Sequence, residues 1–226
     1  MTPKTRGIPA PLKNPTVDVV RKSWNALSRI YRPPGRVADC FGHDEREYLE
    51  WLSRLSGSLS PGSKVLDLGC GTGVPAARFL SEKFQVTGVD LSDTMIRRAR
   101  RLVPKGTFIR GDMTEVNLPE REYAAIIALY SIIHVPLTAQ RKLFGRIHGW
   151  LSPRGRFLAV LGHAACEGWE RGWLGSDVPM YWIHADAGTY RGWLSSAGFD
   201  VIEQRFVPEG GGGHELFLAR ARSERG

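Results

Sequence analysis

The sequence Val-Leu-Asp-Leu-Gly-Cys-Gly-Thr-Gly, residues 65–73, decides the fold of this chain. Its apolar beginning is typical of a short buried strand, and residues 74–80 beyond the glycines have the composition of a helix. The three glycines permit positive φ angles and leave no Cβ between the backbone and a ligand. A strand, a glycine turn and a helix in this order are how an α/β sheet holds a nucleotide.

One acid in this stretch, Asp67, narrows the choice of ligand. A pyrophosphate is bound by backbone amides and by the N-terminus of a helix, and a buried carboxylate beside it would be repulsive. A ligand that carries a positive charge would tolerate the same carboxylate or be attracted by it. The position of Asp67 therefore favours a cationic ligand over a pyrophosphate.

Two further predicted strands also end in acids. Residues 84–90 form an apolar segment that ends at Asp90, where a carboxylate can accept hydrogen bonds from two vicinal ribose hydroxyls. Residues 107–110 form a third strand, which is followed by Asp112 and Met113. An acid suits an adenine amino group, and a thioether suits the face of the ring.

These residues resemble the class I S-adenosylmethionine-dependent methyltransferases, and the resemblance runs from about Leu59 to Ala221. It rests on the Asp-x-Gly-x-Gly-x-Gly pattern of residues 67–73, on Asp90, and on the Gly-Asp-Met of residues 111–113. It implies S-adenosylmethionine as the cofactor, with Asp90 at the ribose and the third strand end at the adenine. The predicted cofactor-binding residues are Asp67, Gly69, Cys70, Gly71, Gly73, Asp90, Leu91, Asp112, Met113 and Leu129.

The alternative interpretation of the glycines is a nicotinamide-binding domain. Its fingerprint is Gly-x-Gly-x-x-Gly, and Gly73 comes one place too early for the third glycine. Asp67 also has no role in that scheme. A tight turn without a ligand would leave the three acids at successive strand ends as a coincidence.

The order of elements predicts an α/β fold with a Rossmann-like, mostly parallel, seven-stranded sheet and helices on both faces. The last two strands, 199–207 and 215–221, are expected to form an antiparallel hairpin joined by four glycines; the resembled family has a reversed seventh strand in that place. Ser92 and Asp186 are expected to cap the helices that follow them. A segment between residues 162 and 185 is expected to be less regular.

The chain is expected to form one domain, since 226 residues allow a sizeable core. Residues 1–16, which contain four prolines, are predicted to be disordered. Residues 17–60 are predicted to form a helical cap, 61–162 the cofactor-binding core, and 163–226 the acceptor segment and hairpin.

Composition bounds the location and the partners. No stretch approaches the roughly 18 apolar residues of a membrane span, and no apolar signal region stands at the N-terminus, so a cytoplasmic protein is expected. The three cysteines have no zinc-binding spacing. His163 and His184 form no recognisable ligand set with Glu167 or Asp186, and no metal is predicted. The oligomeric state is left open.

The net charge of +8 raises nucleic acid as a partner. The densest basic cluster, residues 97–101, falls on a predicted helix, where a solvated face is the simpler interpretation. The segment 130–136 lacks the Pro-Pro-Tyr motif of nucleic-acid amino methyltransferases, and the chain lacks a Pro-Cys pair. A small-molecule acceptor is therefore expected and nucleic acid is not. A cofactor binder without catalysis, or an RNA or protein methyltransferase, is the alternative.

The acceptor is expected beyond the fourth strand, because ligands of open α/β sheets bind outside the carboxyl ends of the strands. His134 and Tyr130 follow that strand and are the candidate catalytic residues. An imidazole can accept a proton from a hydroxyl acceptor; a nitrogen or an electron-rich carbon needs less help. The alternative is a histidine that only packs and hydrogen-bonds locally.

Aromatic residues outside the core motif are candidates for the acceptor pocket, since such side chains can enclose a flat ligand and exclude water. Trp169 and Trp173 are at least as suited to core packing. The resembled family often covers its ligands with N-terminal helices. For this reason Trp24 and Tyr31 of the first predicted helix are also candidates for the acceptor pocket. The candidate substrate-binding residues are Trp24, Tyr31, His163, Tyr181, Trp182 and His184. A small aromatic or heteroaromatic acceptor from secondary metabolism is the expected substrate class, the last point by family analogy.

Overall fold

The computed structural model describes residues 17–31 and 45–223. The N-terminal segment predicted to be disordered, residues 1–16, lies outside these ranges. The helices are α1 (Val17–Tyr31), α2 (Glu45–Ser56), α3 (Ala76–Leu80), α4 (Asp93–Leu102), α5 (Leu137–Trp150) and α6 (Ala187–Ser196). The strands are β1 (Lys64–Leu68), β2 (Gln85–Asp90), β3 (Thr107–Arg110), β4 (Tyr123–Leu129), β5 (Leu151–Gly162), β6 (Cys166–Glu170), β7 (Met180–His184), β8 (Phe199–Glu209) and β9 (Gly212–Ala221). Two 3₁₀ turns lie at Ile132–His134 and Trp173–Gly175.

Seven of these strands form one sheet in the order β3-β2-β1-β4-β5-β9-β8. The first five strands of the chain are parallel, and β9 runs antiparallel to both β5 and β8. This arrangement confirms the predicted fold class. The direction of strand progression reverses between β1 and β4, and such a switch point opens a crevice at the carboxyl ends of the strands.

Helices cover both faces of the sheet because its central strands are apolar on both sides. Leu66 packs with Phe144 of α5 in one buried cluster, whereas its neighbour Val65 packs with Leu80 of α3 in the other. Successive residues of a strand point to opposite faces, so each strand feeds both clusters. The sheet is thereby held rigidly, and the loops at its carboxyl edge are placed relative to one another.

Most predicted elements are confirmed within a few residues. β3 has the predicted bounds, and both predicted caps are present: Ser92 Oγ accepts the Met95 N–H at 3.1 Å, and Asp186 Oδ1 accepts the Thr189 N–H at 2.9 Å. Each cap satisfies a backbone donor that the helix itself leaves without a partner.

Two predictions about the C-terminal third were wrong. The segment expected to be less regular contains a second, two-stranded sheet of β6 and β7, in which Trp169 pairs with Tyr181 at 5.0 Å between ring centroids. The hairpin turn holds only Gly210 and Gly211, since β9 already begins at residue 212 and pairs with the end of β8. Cross-strand pairing extended both elements beyond what local composition indicated.

Within the described residues, no helix is long and apolar enough to cross a membrane.

Candidate active site

A cavity opens at the carboxyl ends of the central strands, and α1 forms part of its wall. The predicted cofactor site at the glycine turn and the predicted acceptor site after β4 both border this cavity. The two segments are neighbours across the switch point. The predicted site residues that line the cavity are Trp24, Tyr31, Asp67, Gly69, Cys70, Gly71, Asp90, Leu91, Asp112, Met113, Leu129, Tyr130 and His134.

The glycine turn is shaped by two different requirements. Gly69 has φ +73°, its N–H donates to Val89 O at 2.7 Å, and a Cβ there would lie 2.2 Å from Ser131 Cβ. A side chain at this position would therefore clash as well as strain the backbone. At Gly71 (φ +52°), by contrast, a Cβ would meet no described atom within 4 Å. The backbone of Gly71 thus faces open space in the cavity, which is the form of a ligand cradle.

Asp90 joins the glycine turn to the end of β2. Its Oδ2 accepts the Gly71 N–H at 2.9 Å, and its Oδ1 accepts the Ser92 N–H at 2.8 Å. Burial raises the pKa of Asp90 to about 6, against the two backbone hydrogen bonds, which lower it. Each carboxylate oxygen has a second lone pair, so Asp90 can still accept from a ligand hydroxyl.

Asp67 lies almost fully buried in the floor of the cavity, with 3% of its surface exposed. Burial, and then the charge of Asp90, raise the pKa of Asp67 to about 8. Two carboxylates in one buried site stabilise a bound cation and are relieved by it. The open cradle at Gly71 and this acid pair fit S-adenosylmethionine, which carries a sulfonium and an ammonium group.

The loop after β3 is held by Arg146 of α5, a residue that the sequence motif did not indicate. Asp112 Oδ1 accepts both the N–H and the hydroxyl of Thr114 at 2.8 Å. Arg146 of α5 donates to the backbone carbonyls of Thr114 and Val116. The position of Asp112 and Met113 at the cavity is thus set by a helix that follows more than thirty residues later.

Two of the predicted cofactor-binding residues, Gly73 and Cys70, have surroundings that indicate packing and not contact with the cofactor. Gly73 does not line the cavity; a Cβ there would lie 3.0 Å from Val103 and 3.3 Å from Phe108, so this glycine serves helix-to-sheet packing. Cys70 does line the cavity, is buried, and has a pKa raised by burial and then by the charges of Asp90 and Asp67. A thiol with a raised pKa stays protonated and is a poor nucleophile, in agreement with a packing role.

His134 lies in the 3₁₀ turn after β4 with its two ring nitrogens in different surroundings. Nδ1 lies 2.8 Å from Tyr181 O, and Nε2 is buried without a hydrogen-bond partner among the described residues. Burial lowers the pKa of His134 to about 4, with smaller contributions from His184 and His214. Because a carbonyl only accepts, Nδ1 carries the proton, and Nε2 holds a lone pair in a residue that lines the cavity.

Aromatic side chains from α1, from the 3₁₀ turn at Trp173 and from β7 cluster around His134. Trp24 of α1 lies edge-on to His134, Tyr31 and Trp173, with ring centroids 5.4, 5.0 and 5.6 Å apart. Trp182 of β7 lies 4.8 Å from His134 and 5.1 Å from Trp173. We call these five side chains the aromatic cluster. It includes His134 and joins α1 to the β6–β7 sheet.

Four predicted acceptor residues are placed outside the cavity lining: His163, Tyr181, Trp182 and His184. Tyr181 serves His134 through its backbone carbonyl, while its hydroxyl donates to Glu167 at 2.7 Å. His163 is half exposed and hydrogen-bonded to Glu215 at 2.9 Å. Trp182 reaches the site only through the aromatic cluster. Tyr181, Trp182 and His184 lie on β7, and local sequence did not indicate its pairing with β6.

Several residues that shape the site carried no recognisable signal. Ser131 Oγ donates to Leu68 O at 2.6 Å and so ties the segment after β4 to the end of β1. Asn25 of α1 accepts from Ser92 Oγ at 2.6 Å and from the Thr94 N–H at 3.1 Å. These partners are more than sixty residues apart in the chain, so no local motif connects them. Among the described residues, no group of three or more His, Cys, Asp or Glu side chains could hold a metal ion.

The sequence of this chain is similar to sequences of known methyltransferases. A family model described as a methyltransferase domain matches residues 65–155. An uncharacterized methyltransferase of Synechocystis is 27% identical over 200 residues, which cover 85% of this chain and 91% of that protein. Sterol 24-C-methyltransferases of several fungi are matched over only 22–38% of their length.

Two solved structures show the same fold over nearly the whole chain. The 1,6-didemethyltoxoflavin-N1-methyltransferase of Burkholderia thailandensis, solved with its acceptor and S-adenosylhomocysteine, superposes with a TM-score of 0.71 at 21% identity and covers 96% of this chain and 94% of that one. The magnesium protoporphyrin IX methyltransferase of Synechocystis, solved with S-adenosylmethionine, also has a TM-score of 0.71, at 19% identity, and covers 94% and 99%.

The fold, the acidic cavity and these matches together define an enzyme that transfers methyl groups. Residues 65–155 match the methyltransferase-domain family, the fold is that of class I S-adenosylmethionine-dependent methyltransferases, and S-adenosylmethionine is the cofactor. The nicotinamide-binding interpretation is thereby rejected.

Proposed function

We propose that the protein methylates a small aromatic or heteroaromatic molecule at an oxygen or nitrogen that bears a proton. One observation carries this proposal: His134 lines the same cavity as the glycine cradle, and its Nε2 is buried with a lone pair that has no hydrogen-bond partner among the described residues. A neutral, buried imidazole there can accept a hydrogen bond or a proton from a hydroxyl or N–H group. A carbon nucleophile, as in the sterol enzymes, would make less use of it.

The cofactor would be held by the residues at the three strand ends. Asp67 would stabilise its positive charges, Asp90 would accept from the ribose hydroxyls, and Asp112 with Met113 would lie at the adenine. When bound, S-adenosylmethionine supplies a methyl group that is already activated by the sulfonium. The protein therefore has to bind, orient and exclude water more than it has to activate the donor.

His134 is suited to the acceptor because its protonation state is set in advance. Its lowered pKa of about 4 keeps it neutral at physiological pH, and the Tyr181 carbonyl holds the proton on Nδ1. A proton arriving at Nε2 from the acceptor would create a buried imidazolium, stabilised by the same carbonyl. We assign to His134 the role of accepting a hydrogen bond that becomes a partial proton transfer as the acceptor is methylated. Tyr130 would form the adjoining wall of the cavity.

The aromatic cluster supports a flat acceptor. Trp24 and Tyr31 line the cavity beside His134, and such rings bind planar apolar surfaces while excluding water. Two relatives of the same fold are named for planar acceptors, 1,6-didemethyltoxoflavin and magnesium protoporphyrin IX. We include a tailoring role in secondary metabolism in the proposal by family analogy, and we expect a cytoplasmic location.

We prefer a small molecule to nucleic acid despite the net charge of +8. The arginines of α4 are partly engaged within the fold: Arg100 donates to Phe108 O at 2.8 Å, and Arg97 donates to Thr94 at 3.0 Å. We therefore interpret the basic side of α4 as a solvated surface and not as a binding site for nucleic acid. If an RNA acceptor were used, its affinity would fall steeply with salt concentration.

The experiment is a turnover assay with S-adenosylmethionine labelled in its methyl group. Purified protein is incubated with pairs of aromatic compounds in which one member carries a free hydroxyl or ring N–H and the other carries the same atom already methylated. Labelled product and S-adenosylhomocysteine should form with free members only. Cofactor binding without turnover across all pairs, or turnover with RNA alone, would contradict the proposal.

A further inference from the structure

A fully buried side-chain amide, that of Gln140 on α5, connects three segments next to His134. Its Nε2 donates to Val135 O at 2.6 Å and to Ile183 O at 2.8 Å, and its Oε1 accepts the Tyr190 hydroxyl at 2.6 Å. Val135 directly follows His134 in the chain. Ile183 belongs to β7, and Tyr190 belongs to α6. Gln140 itself does not line the cavity, so any influence on the acceptor has to pass through another residue.

The partners of the amide fix its orientation. The two carbonyls can only accept, so the nitrogen of Gln140, which carries two protons, faces them. The oxygen is then left for the Tyr190 hydroxyl, which donates to it and in turn accepts the Ala185 N–H at 3.3 Å. Both protons and the oxygen of the amide are thereby paired, as is usual for a buried polar group. Turning the amide over would bring its oxygen against two carbonyls, so Gln140 holds its partners in fixed places.

The strand that binds Gln140 also binds His134. Tyr181 O lies 2.8 Å from His134 Nδ1, and Ile183, whose carbonyl accepts from the amide, is two residues further along β7. The backbone of a strand repeats every two residues, so both carbonyls are presented on one edge of β7. Gln140 thus ties this edge to the residue after His134, and the bond between His134 and Tyr181 forms next to that tie.

The carbonyl of Tyr181 decides which ring nitrogen of His134 carries the proton. A neutral imidazole has one N–H, and either nitrogen can carry it. A carbonyl held at Nδ1 favours the proton there and leaves the lone pair on Nε2. Since Nε2 has no hydrogen-bond partner among the described residues, a loosened carbonyl would let the proton move to it.

We propose that Gln140 is a positioning residue that fixes the tautomer of His134 by holding the Tyr181 carbonyl against Nδ1. It thereby keeps Nε2 as a hydrogen-bond acceptor, which favours acceptor molecules that present an O–H or N–H group to this nitrogen. Gln140 acts only through His134, because it does not line the cavity. This inference rests on the proposed function, in which His134 receives the proton of the acceptor.

The test reads the tautomer directly, by NMR of protein that contains ¹⁵N-labelled histidine and is saturated with S-adenosylhomocysteine. Long-range proton–nitrogen correlations identify the ring nitrogen that carries the proton, and comparison with His134→Ala assigns the signals. In the wild-type protein, the form with the proton on Nδ1 should predominate. In Gln140→Leu, the ratio of the Nδ1 form to the Nε2 form should fall about fivefold, the value of one hydrogen bond.

Two further variants separate positioning from general loosening of the fold. Tyr190→Phe removes the hydroxyl that orients the amide and should lower the ratio about threefold; it tests the inference even where Gln140→Leu does not fold. Leu143→Ala, at another fully buried position of α5, creates a cavity but removes no hydrogen bond to β7. It should leave the ratio unchanged. Affinity for S-adenosylhomocysteine should stay within about twofold in these three variants, because none of the substituted residues lines the cavity.

The outcomes distinguish this inference from the proposed function. If the wild-type proton lies on Nδ1 and stays there to the same extent in Gln140→Leu and Tyr190→Phe, the inference alone is overturned. It is also overturned if Leu143→Ala shifts the ratio as much as Gln140→Leu does. If the wild-type proton lies on Nε2, the lone pair on which the proposed function depends is missing, and both are overturned.

Discussion

The two ends of the cavity are built in different ways. At the cofactor end, the groups that face the ligand come from the tips of β1, β2 and β3 and are held largely by backbone hydrogen bonds, as Asp90 is by Gly71 and Ser92. At the acceptor end, His134 is surrounded by side chains from α1, from the turn at Trp173 and from β7. The first end is a property of the sheet edge, and the second depends on the packing of distant segments.

The electrostatic character of the two ends differs as well. The cofactor end contains two buried carboxylates whose pKa values are raised, so it gains from a cation. The acceptor end contains a buried imidazole whose pKa is lowered, so it stays neutral and gains from a hydrogen-bond donor. Substitutions at the two ends should therefore separate binding of the cofactor from turnover of the acceptor.

The largest separation is expected from His134→Ala. Turnover should fall about 100- to 1,000-fold, the usual contribution of a general base, while affinity for S-adenosylhomocysteine stays within about twofold. Initial rates with a hydroxylated acceptor and calorimetry measure the two quantities. His148→Ala, which removes a histidine that packs on Phe199 away from the cavity, is the matched control. Equal losses in both quantities would assign His134 a purely structural role.

Asp90→Ala should have the converse effect. Affinity for S-adenosylhomocysteine should drop about 100-fold, because the carboxylate anchors the glycine turn and also accepts from the ribose. Titration calorimetry gives the affinity directly. Asp93→Ala, a neighbouring acid on α4 that pairs with Arg21 and Arg110 at the surface, should change it little. Unchanged affinity in the Asp90 variant would refute the ribose assignment.

Trp24→Ala tests whether the aromatic cluster belongs to the acceptor end. The KM of an aromatic acceptor should rise about tenfold, since three ring contacts and a cavity wall are removed, and affinity for the cofactor should change less. Trp193→Ala serves as the comparison, because this ring on α6 packs on Phe144 and Tyr190 and does not line the cavity. A larger loss of cofactor affinity than of acceptor affinity would show that α1 belongs to the other end.

The smallest effect expected is a pH dependence at the cofactor end. The pKa of Asp67 is raised to about 8 in the free protein, and a bound cation favours the ionised form, so binding releases a proton below that pH. Affinity for S-adenosylhomocysteine should rise on the order of fivefold from pH 6.5 to pH 8 and level off above it. Calorimetry in buffers of different ionisation enthalpy counts the proton. Asp67→Asn should bind weakly with a flat profile; a flat wild-type profile would contradict the assignment.

Prediction from the sequence succeeded where the signal was local. The glycine turn and the caps Ser92 and Asp186 each depend on residues within a few positions of one another. Asp67 and Asp90 lie at the cavity, and their roles toward the cofactor stay predictions. The conformations of the turn and the caps follow from glycine geometry, strand alternation and capping, which are properties of short segments. The predicted sheet was confirmed for the same reason.

Prediction failed or stayed incomplete where partners are distant. His163 and His184 were expected at the acceptor, but neither lines the cavity: His163 is hydrogen-bonded to Glu215 of β9, and His184 is paired with Cys166 between β6 and β7. The buried amide of α5 was not singled out, because two of its three partners lie more than forty residues away in the chain. Nor could composition show that Tyr181 would serve through its backbone carbonyl.

The amino-acid order alone specified the parallel sheet, its glycine turn and three acids at one edge, because local periodicity and backbone geometry are written into neighbouring residues. Only the folded molecule decided the tautomer and low pKa of His134, the ring contacts around it and the buried amide that ties its neighbour to β7. These properties arise from burial and from contacts between segments far apart in the chain, and no short stretch of sequence encodes either.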